Sequence, residues 1–194
     1  MDPDQVGRLA REAAHGDEAA WKGLVDGFSG LIWSISRGYG LSSADAADVF
    51  QTVWLRLAEH IGRIESPQHV GAWLATTARR ESLRVARGSA RVVPTDDAAL
   101  LYLGMSDEDS PEQAVLSSEQ ALIDSQRDRR LWRAFRELSA HCQKLLRILI
   151  ASPPPHYVEV AAALGMPVGS IGPTRARCLQ QLRRRLASEV SETA

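Results

Sequence analysis

The segment VEVAAALGMPVGSIGPTRARCLQQL, residues 158–182, contains two stretches of helical spacing separated by a short turn. Ala161 is small enough to let two helices cross closely, and Gly165 permits the left-handed backbone conformation that a tight turn requires. Ser170 is placed to be the N-cap of the second helix, with Pro173 in its first turn, where a missing N–H costs little. The segment therefore predicts a helix-turn-helix.

The second helix of this motif is expected from Ile171 to about Leu186, with one apolar and one basic face. The predicted buried stripe is Ile171, Cys178, Leu182 and Leu186. A helix that reads DNA presents its outward N-terminal residues to base edges and its arginines to phosphates. The residues predicted to bind DNA are Ser170, Pro173, Thr174, Arg175, Arg177, Gln181 and Arg184. A helical hairpin with a solvated basic face is the alternative.

Charge is distributed in blocks, although the net charge of the 194 residues is only −1. Residues 92–126 contain eight acids and neither Lys nor Arg, whereas arginines are clustered at residues 79–91, 127–136 and 175–185. Basic blocks of this kind can contact nucleic acid despite a neutral total. No signal peptide opens the chain and no apolar run could span a bilayer, so we expect a cytoplasmic protein without membrane contact.

Helical periodicity dominates the remainder of the chain, which predicts an all-α fold of two small helical domains joined by an acidic linker. The expected domains are residues 1–91 and 117–194, with the linker at residues 92–116. The expected helices are Gln5–Tyr39 with a break near His15 and Gly16, Ala44–His60, His69–Arg87, Ser117–Ser152, and Tyr157–Leu164. Ser42 or Ser43 is the expected cap of the second of these, and Gly62–Pro67 the expected turn after it.

The patterns of metal sites and enzymes are missing from the sequence. Cys142 and Cys178 are too few and too isolated to indicate a disulfide framework or a zinc site, and Cys178 is expected to be a small buried apolar residue. The five histidines show no metal-ligand spacing, and there is no phosphate-binding glycine loop or nucleophile elbow. We therefore expect no metal, no cofactor and no catalysis.

Two N-terminal segments carry further chemistry. DAADVFQTVWLRL, residues 45–57, places Asp48 and Gln51 on the polar edge of an amphipathic helix. HVGAWLATTARRESLRVARGSAR, residues 69–91, interleaves Trp73 and threonines with arginines, a mixture that suits single-stranded or melted DNA. A solvated polar edge and a core position for Trp73 are the alternatives.

The two N-terminal segments, the acidic linker and the helix-turn-helix, in this order, resemble the extracytoplasmic-function sigma factors of bacterial RNA polymerase, group IV of the sigma-70 family. The resemblance covers roughly residues 18–190 and implies a promoter-specificity subunit that binds core polymerase and promoter DNA, both duplex and melted. It also allows for an anti-sigma factor, and for a linker that enters the RNA exit channel. The resemblance implies that the polymerase clamp is bound by Asp48, Gln51, Trp54 and Leu55. It implies that the minus-ten element is bound by Trp73, Thr76, Thr77, Arg79, Arg80, Arg84 and Arg87. The DNA-binding residues on the second helix of the helix-turn-helix would contact the minus-thirty-five element.

The sequence departs from the family pattern at several of these positions. Thr52 stands where an acidic residue commonly follows the glutamine, and Arg80 and Arg84 stand where Asn and Asp are frequent. Residues 172–174 replace the usual basic and hydroxyl residues at the start of the recognition helix. A helix-turn-helix regulator that binds duplex DNA without joining polymerase is the alternative function.

Overall fold

The computed structural model describes residues 1–88 and 128–191, and these residues form helices, turns and loops without a strand. The helices are α1 (Pro3–Ala14), α2 (Glu18–Gly38), α3 (Ser43–His60), α4 (Val70–Gly88), α5 (residues 128–136), α6 (Ala140–Leu149), α7 (Tyr157–Leu164) and α8 (Val168–Ser191). Two 3₁₀ turns, Ile61–Arg63 and Pro67–His69, connect α3 to α4. The predicted all-α class is confirmed. The predicted linker lies outside the described residues.

Short polar side chains fix the starts of the first three helices. The carboxylates of Asp2 and Asp17 accept hydrogen bonds from the backbone N–H groups of Gln5 and Ala20. Ser42 accepts from the N–H of Asp45 at 3.1 Å, so Ser42 is the cap of α3. Each bond satisfies one of the N–H groups that a helix leaves unpaired at its start.

The core of the N-terminal bundle is formed by apolar side chains at helical spacing on α1 to α4. Several are fully buried, namely Leu24, Ile32, Ile35, Val53, Leu57, Val70 and Leu74. Trp54 lies among them and packs edge-to-face with Trp21 and Phe50, whose ring centroids are 6.0 and 6.1 Å away. Burial of this apolar surface is the main force that holds the four helices together.

The C-terminal helices pack directly onto the N-terminal bundle. Helix α7 lies against α4, and α6 lies against α2, so that one continuous apolar core joins both parts of the chain. The hydroxyl of Tyr39 donates to the carbonyl oxygen of Ala163 at 3.0 Å, and the Lys144 ammonium lies 3.8 Å from the centre of the Tyr39 ring. These two polar contacts help to fix the orientation of the C-terminal helices on the N-terminal bundle, across an interface that is otherwise apolar.

The continuous helical segment expected over Ser117–Ser152 is wrong within the described residues. The chain leaves helical geometry at residues 137–139, between α5 and α6. Ser139 caps α6 through the N–H of Cys142, and the Gln143 amide donates to the carbonyls of Arg136 and Leu138, both at 2.8 Å. The apolar spacing continues across the break because both helices face the same core.

The expected start of the recognition helix is also wrong. Helix α8 begins at Val168, three residues before the expected position, and Ser170 lies inside its first turn. The Ser170 hydroxyl donates to the carbonyl of Pro167 at 2.6 Å rather than capping the helix. Pro173 is consequently interior to the helix, where its ring removes the hydrogen bond that the carbonyl of Gly169 would otherwise accept.

The two cysteines form a disulfide, which corrects the expectation that they are unpaired. Cys142 lies in the first turn of α6 and Cys178 in the middle of α8, and the folded chain brings their Cα atoms to 5.4 Å. Cys178 is buried, as expected. Their separation of 36 residues in sequence gave no sign of this proximity.

Candidate nucleic-acid interface

A cleft of about 600 Å³ opens between the end of α3, the two 3₁₀ turns and the first half of α4. Four of the residues predicted to contact melted DNA line it: Trp73, Thr76, Thr77 and Arg80. The Trp73 ring is partly exposed and lies 6.2 Å from the His60 ring between centroids. An aromatic face, hydroxyls and an arginine in one cleft are the groups that stack on a base and bind its phosphate.

The other wall of the cleft comes from residues that the sequence did not single out as DNA-binding. They are His60, Arg63, Ile64, Glu65, Ser66, His69 and Ala72. Only His69 had been associated with Trp73, through its position in the same segment. Of the remaining ones, His60 ends α3 and Ala72 lies on α4. The other four belong to the turn between α3 and α4, which carries no periodicity that would place it beside α4.

Not all predicted minus-ten residues face this cleft. Thr77 lines the cleft but is largely buried, and its hydroxyl donates to the Trp73 carbonyl at 2.9 Å; three of the predicted arginines lie elsewhere. Arg79 lies against the turn of the helix-turn-helix, because a Cβ at Gly165 would be only 2.7 Å from the Arg79 guanidinium. Arg84 and Arg87 are exposed further along α4, outside the cleft.

A buried carboxylate connects α3 and α4 beside the cleft. Glu81 is only 4% exposed, and it forms ion pairs with Arg56 on α3 at 2.9 Å and with Arg84 at 2.8 Å. Because a buried carboxylate is costly without partners, the two arginines compensate its desolvation. The Arg56–Glu81 pair joins α3 to α4 at this point, whereas the Arg84–Glu81 pair lies within α4.

The polar edge of α3 is exposed where the sequence predicts polymerase contact. Asp48, Gln51 and Leu55 are all exposed, and the Leu55 side chain is 66% exposed, the largest value among the bulky apolar residues described. Trp54 is different: it is only 8% exposed and belongs to the core. The exposed edge is therefore formed by Asp48, Gln51 and Leu55, with Trp54 supporting it from below.

The helix-turn-helix has the geometry that its sequence predicts, apart from the helix start. Gly165 has a φ of 68°, in the left-handed region, and its N–H closes α7 by donating to Ala161 at 2.8 Å. On α8 the side chains of Pro173, Arg175, Arg177, Gln181 and Arg184 are exposed, and those of Ser170 and Thr174 are half-buried. Arg175 also donates to the Tyr157 hydroxyl on α7 at 3.4 Å.

The chain is similar to one known protein family and to a solved structure. Residues 24–92 match the family model of sigma-70 region 2. The chain therefore contains a segment similar to sigma-70 region 2. A solved structure of CnrH in complex with the cytosolic domain of CnrY matches with a TM-score of 0.57 at 18% identity, over 98% of this chain and 99% of that one. A search of curated proteins gave no significant match.

Sigma-70 region 2 thus contains α2 from Leu24 onward, α3, the two 3₁₀ turns and α4. The cleft and the exposed edge of α3 both lie inside it. The likeness to CnrH extends over the helix-turn-helix as well, and shows that the described residues share its fold.

Two titratable groups lie where the N-terminal bundle meets the C-terminal helices, Glu159 on α7 and Lys144 on α6. Burial raises the pKa of the Glu159 carboxyl, and the hydrogen bond from the His156 N–H at 2.8 Å offsets part of that rise. Burial, with a smaller contribution from the nearby Arg79 guanidinium, lowers the pKa of Lys144. The pKa values of both groups therefore depend on the packing of α6 and α7 against the N-terminal bundle.

Residues 1–88 and 128–191 contain no cluster of His, Cys, Asp or Glu with the geometry of a metal site. Within the same ranges, no helix combines the length and the apolar character needed to cross a membrane.

Proposed function

We propose that this chain is a promoter-specificity subunit of bacterial RNA polymerase, of the extracytoplasmic-function type, without catalysis of its own. One observation carries the proposal: the segment that matches region 2 has both a cleft lined by Trp73, Thr76 and Arg80 and an exposed polar edge on α3. The alternative, a helix-turn-helix regulator that acts without polymerase, gives neither the edge nor the cleft a role.

In this proposal each exposed surface has one partner. Asp48, Gln51 and Leu55 bind the polymerase clamp through a polar and an apolar contact. A base of the melted minus-ten strand enters the cleft, stacks on Trp73 and places its phosphate near Arg80. The exposed arginines of α8 bind upstream duplex, with Arg177 the residue best placed for a base edge or a phosphate.

The fold likeness also suggests a protein partner. CnrH is seen with the cytosolic domain of CnrY. We expect this chain to accept an inhibitory anti-sigma protein in a comparable way, and to act in the cytoplasm together with polymerase.

Reconstituted transcription tests the proposal. Core polymerase supplemented with this protein should give specific transcripts from a library of genomic promoter fragments, and core polymerase alone should not. The double change Asp48→Arg and Gln51→Arg should remove both transcription and binding to core polymerase. Asp26→Arg, a charge reversal at an exposed position on α2, is the control for added positive charge and should leave both intact.

Two results would contradict the proposal. Absence of any specific transcript with the unaltered protein would refute the sigma role. Tight binding of duplex DNA by the protein alone, unchanged in the Asp48 and Gln51 variant, would favour the regulator.

A further inference from the structure

Helix α1 lies outside the segment that matches region 2, and it packs against the turn that forms one wall of the cleft. It contacts both 3₁₀ turns, and its contact with the second, Pro67–His69, is among the most extensive between any two described elements. The face that α1 turns toward the bundle consists of small side chains, with Val6, Gly7, Ala10 and Ala13 all buried. Small residues let the α1 backbone approach the turn closely.

Gly7 is the point of closest approach. A Cβ at this position would lie 3.3 Å from the backbone nitrogen of Gln68 and 3.4 Å from its Cα. The third near atom is the Gln68 Cβ, also at 3.4 Å. All three atoms are fixed by the backbone of the turn and cannot rotate away as the tip of a flexible side chain could. Any side chain at residue 7 therefore displaces either the turn or α1.

The turn has little internal structure to hold it in place. Neither of its 3₁₀ segments contains a buried residue, and neither has a side-chain cap. Its short-range backbone bonds run from Ile64 to Ile61 at 3.4 Å and from His69 to Ser66 at 2.9 Å. The position of the turn relative to α4 thus depends on what packs against it. Ile61 and Ile64 pack against the core, α3 and α4 each contact one of the two 3₁₀ segments, and α1 makes the most extensive contact with the turn.

We propose that α1 is a positioning element for the cleft: through the Gly7–Gln68 contact it sets the place of residues 61–69, and so of His69 and Ser66, opposite Trp73. This inference rests on the proposed function, since it assigns α1 a part in binding melted DNA. It predicts that a side chain at residue 7 moves the wall of the cleft and weakens single-strand binding without affecting the α3 edge.

Gly7→Ala is the variant, and Gly23→Ala is its matched control. Both residues are helical glycines, so both substitutions raise helix propensity equally. A Cβ at Gly23 would also meet α1 at 3.3 Å, but there it meets the flexible side-chain tip of Leu9, on a contact that does not involve the turn. Gly7→Leu is a second variant with a larger displacement.

Three quantities are measured on the full chain. The first is the affinity of the reconstituted holoenzyme for a fluorescent single-stranded oligonucleotide with the sequence of the minus-ten nontemplate strand. The second is the affinity of the protein for core polymerase. The third is the rate of amide hydrogen exchange across residues 61–69. Gly7→Ala should weaken oligonucleotide binding by at least about fivefold, the loss expected from one weakened base–aromatic stack. It should also speed exchange in residues 61–69, while core affinity and melting temperature stay equal to those of Gly23→Ala. Gly7→Leu should show a larger effect in the same direction.

Oligonucleotide binding and exchange in Gly7→Ala that equal those of Gly23→Ala would overturn the inference. Parallel loss of core binding, melting temperature and oligonucleotide binding would overturn it too, since that pattern indicates a merely structural role. Failure of the unaltered protein to direct transcription or bind the oligonucleotide is a separate result that refutes the proposed function and the DNA role of α1 with it. Exchange across residues 61–69 would then still show whether α1 holds the turn.

Discussion

Reduction of the Cys142–Cys178 disulfide should lower the stability of the chain mainly through the unfolded state. The bond closes a loop of 36 residues. The chain-entropy relation for a loop of this length gives a stabilisation of about 4 kcal/mol at 25 °C. Both cysteines are nearly inaccessible, at 6% and 1% exposure, so a reduced pair would keep its apolar packing in the folded state. The loss on reduction should therefore approach the full entropic value.

Urea unfolding of the full chain, followed by far-UV circular dichroism with and without excess reductant, measures this difference. With a slope of about 2 kcal/mol per molar urea, the midpoint should fall by about 2 M on reduction. A Cys142→Ala, Cys178→Ala variant should unfold near the reduced midpoint and should not respond to reductant. Thiol titration before and after treatment verifies the state of the bond. An unmoved midpoint in a sample with both thiols free would refute the reasoning.

The remaining predictions concern single side chains. Glu159→Gln should flatten the pH dependence of stability. Burial raises the folded pKa of this carboxyl above its ordinary 4.5, so the stability of the wild type falls as the pH rises from the unfolded pKa to the folded pKa. Thermal melts at a series of pH values measure this, and equal slopes for the two proteins would contradict the prediction. Gly165→Ala should lower the free energy of unfolding, measured with denaturant, by at least about 1–2 kcal/mol, because residue 165 has a φ of 68° and lies against Arg79. An unchanged free energy of unfolding would contradict the argument from backbone strain. Trp54→Ala should lower the free energy of unfolding by about 3–5 kcal/mol. Leu55→Ala should change it by less than about 0.5 kcal/mol and should weaken binding to core polymerase. Equal losses of stability in the two variants would show that the exposed edge of α3 is misassigned.

Local patterns in the sequence were sufficient for most of the helices. The left-handed turn at Gly165 and the cap at Ser42 follow from the chemistry of single residues, and both are found in the structure. The same reasoning failed at Ser170 because two cap-like signals compete there. Pro167 already sets a backbone conformation suited to a helix start, and Ser170 then bonds back to its carbonyl from inside the first turn.

Contacts between residues distant in sequence were beyond such reasoning. The pairing of Cys142 with Cys178 depends on how α6 and α8 pack, and no spacing rule encodes that. The second wall of the cleft was missed for a related reason: residues 61–69 are aperiodic, and their place opposite Trp73 depends on tertiary packing, in which α1 has the largest share. The half of the site that lies on a helix was predicted, and the half on a turn was not.

Arg79 shows how the two kinds of information combine. Its place in a basic, aromatic segment predicts contact with melted DNA, yet in the structure its guanidinium lies under the turn at Gly165, and its Nε is buried without a hydrogen-bond partner in the part of the chain that is described. One side chain cannot hold a phosphate and fill this interface at the same time. The packing of the helix-turn-helix on α4 and the use of Arg79 for DNA are therefore mutually exclusive arrangements of the same chain. Arg80, one residue further along α4, faces the cleft and is free of this conflict, so it is the arginine whose loss should affect single-strand binding in either arrangement.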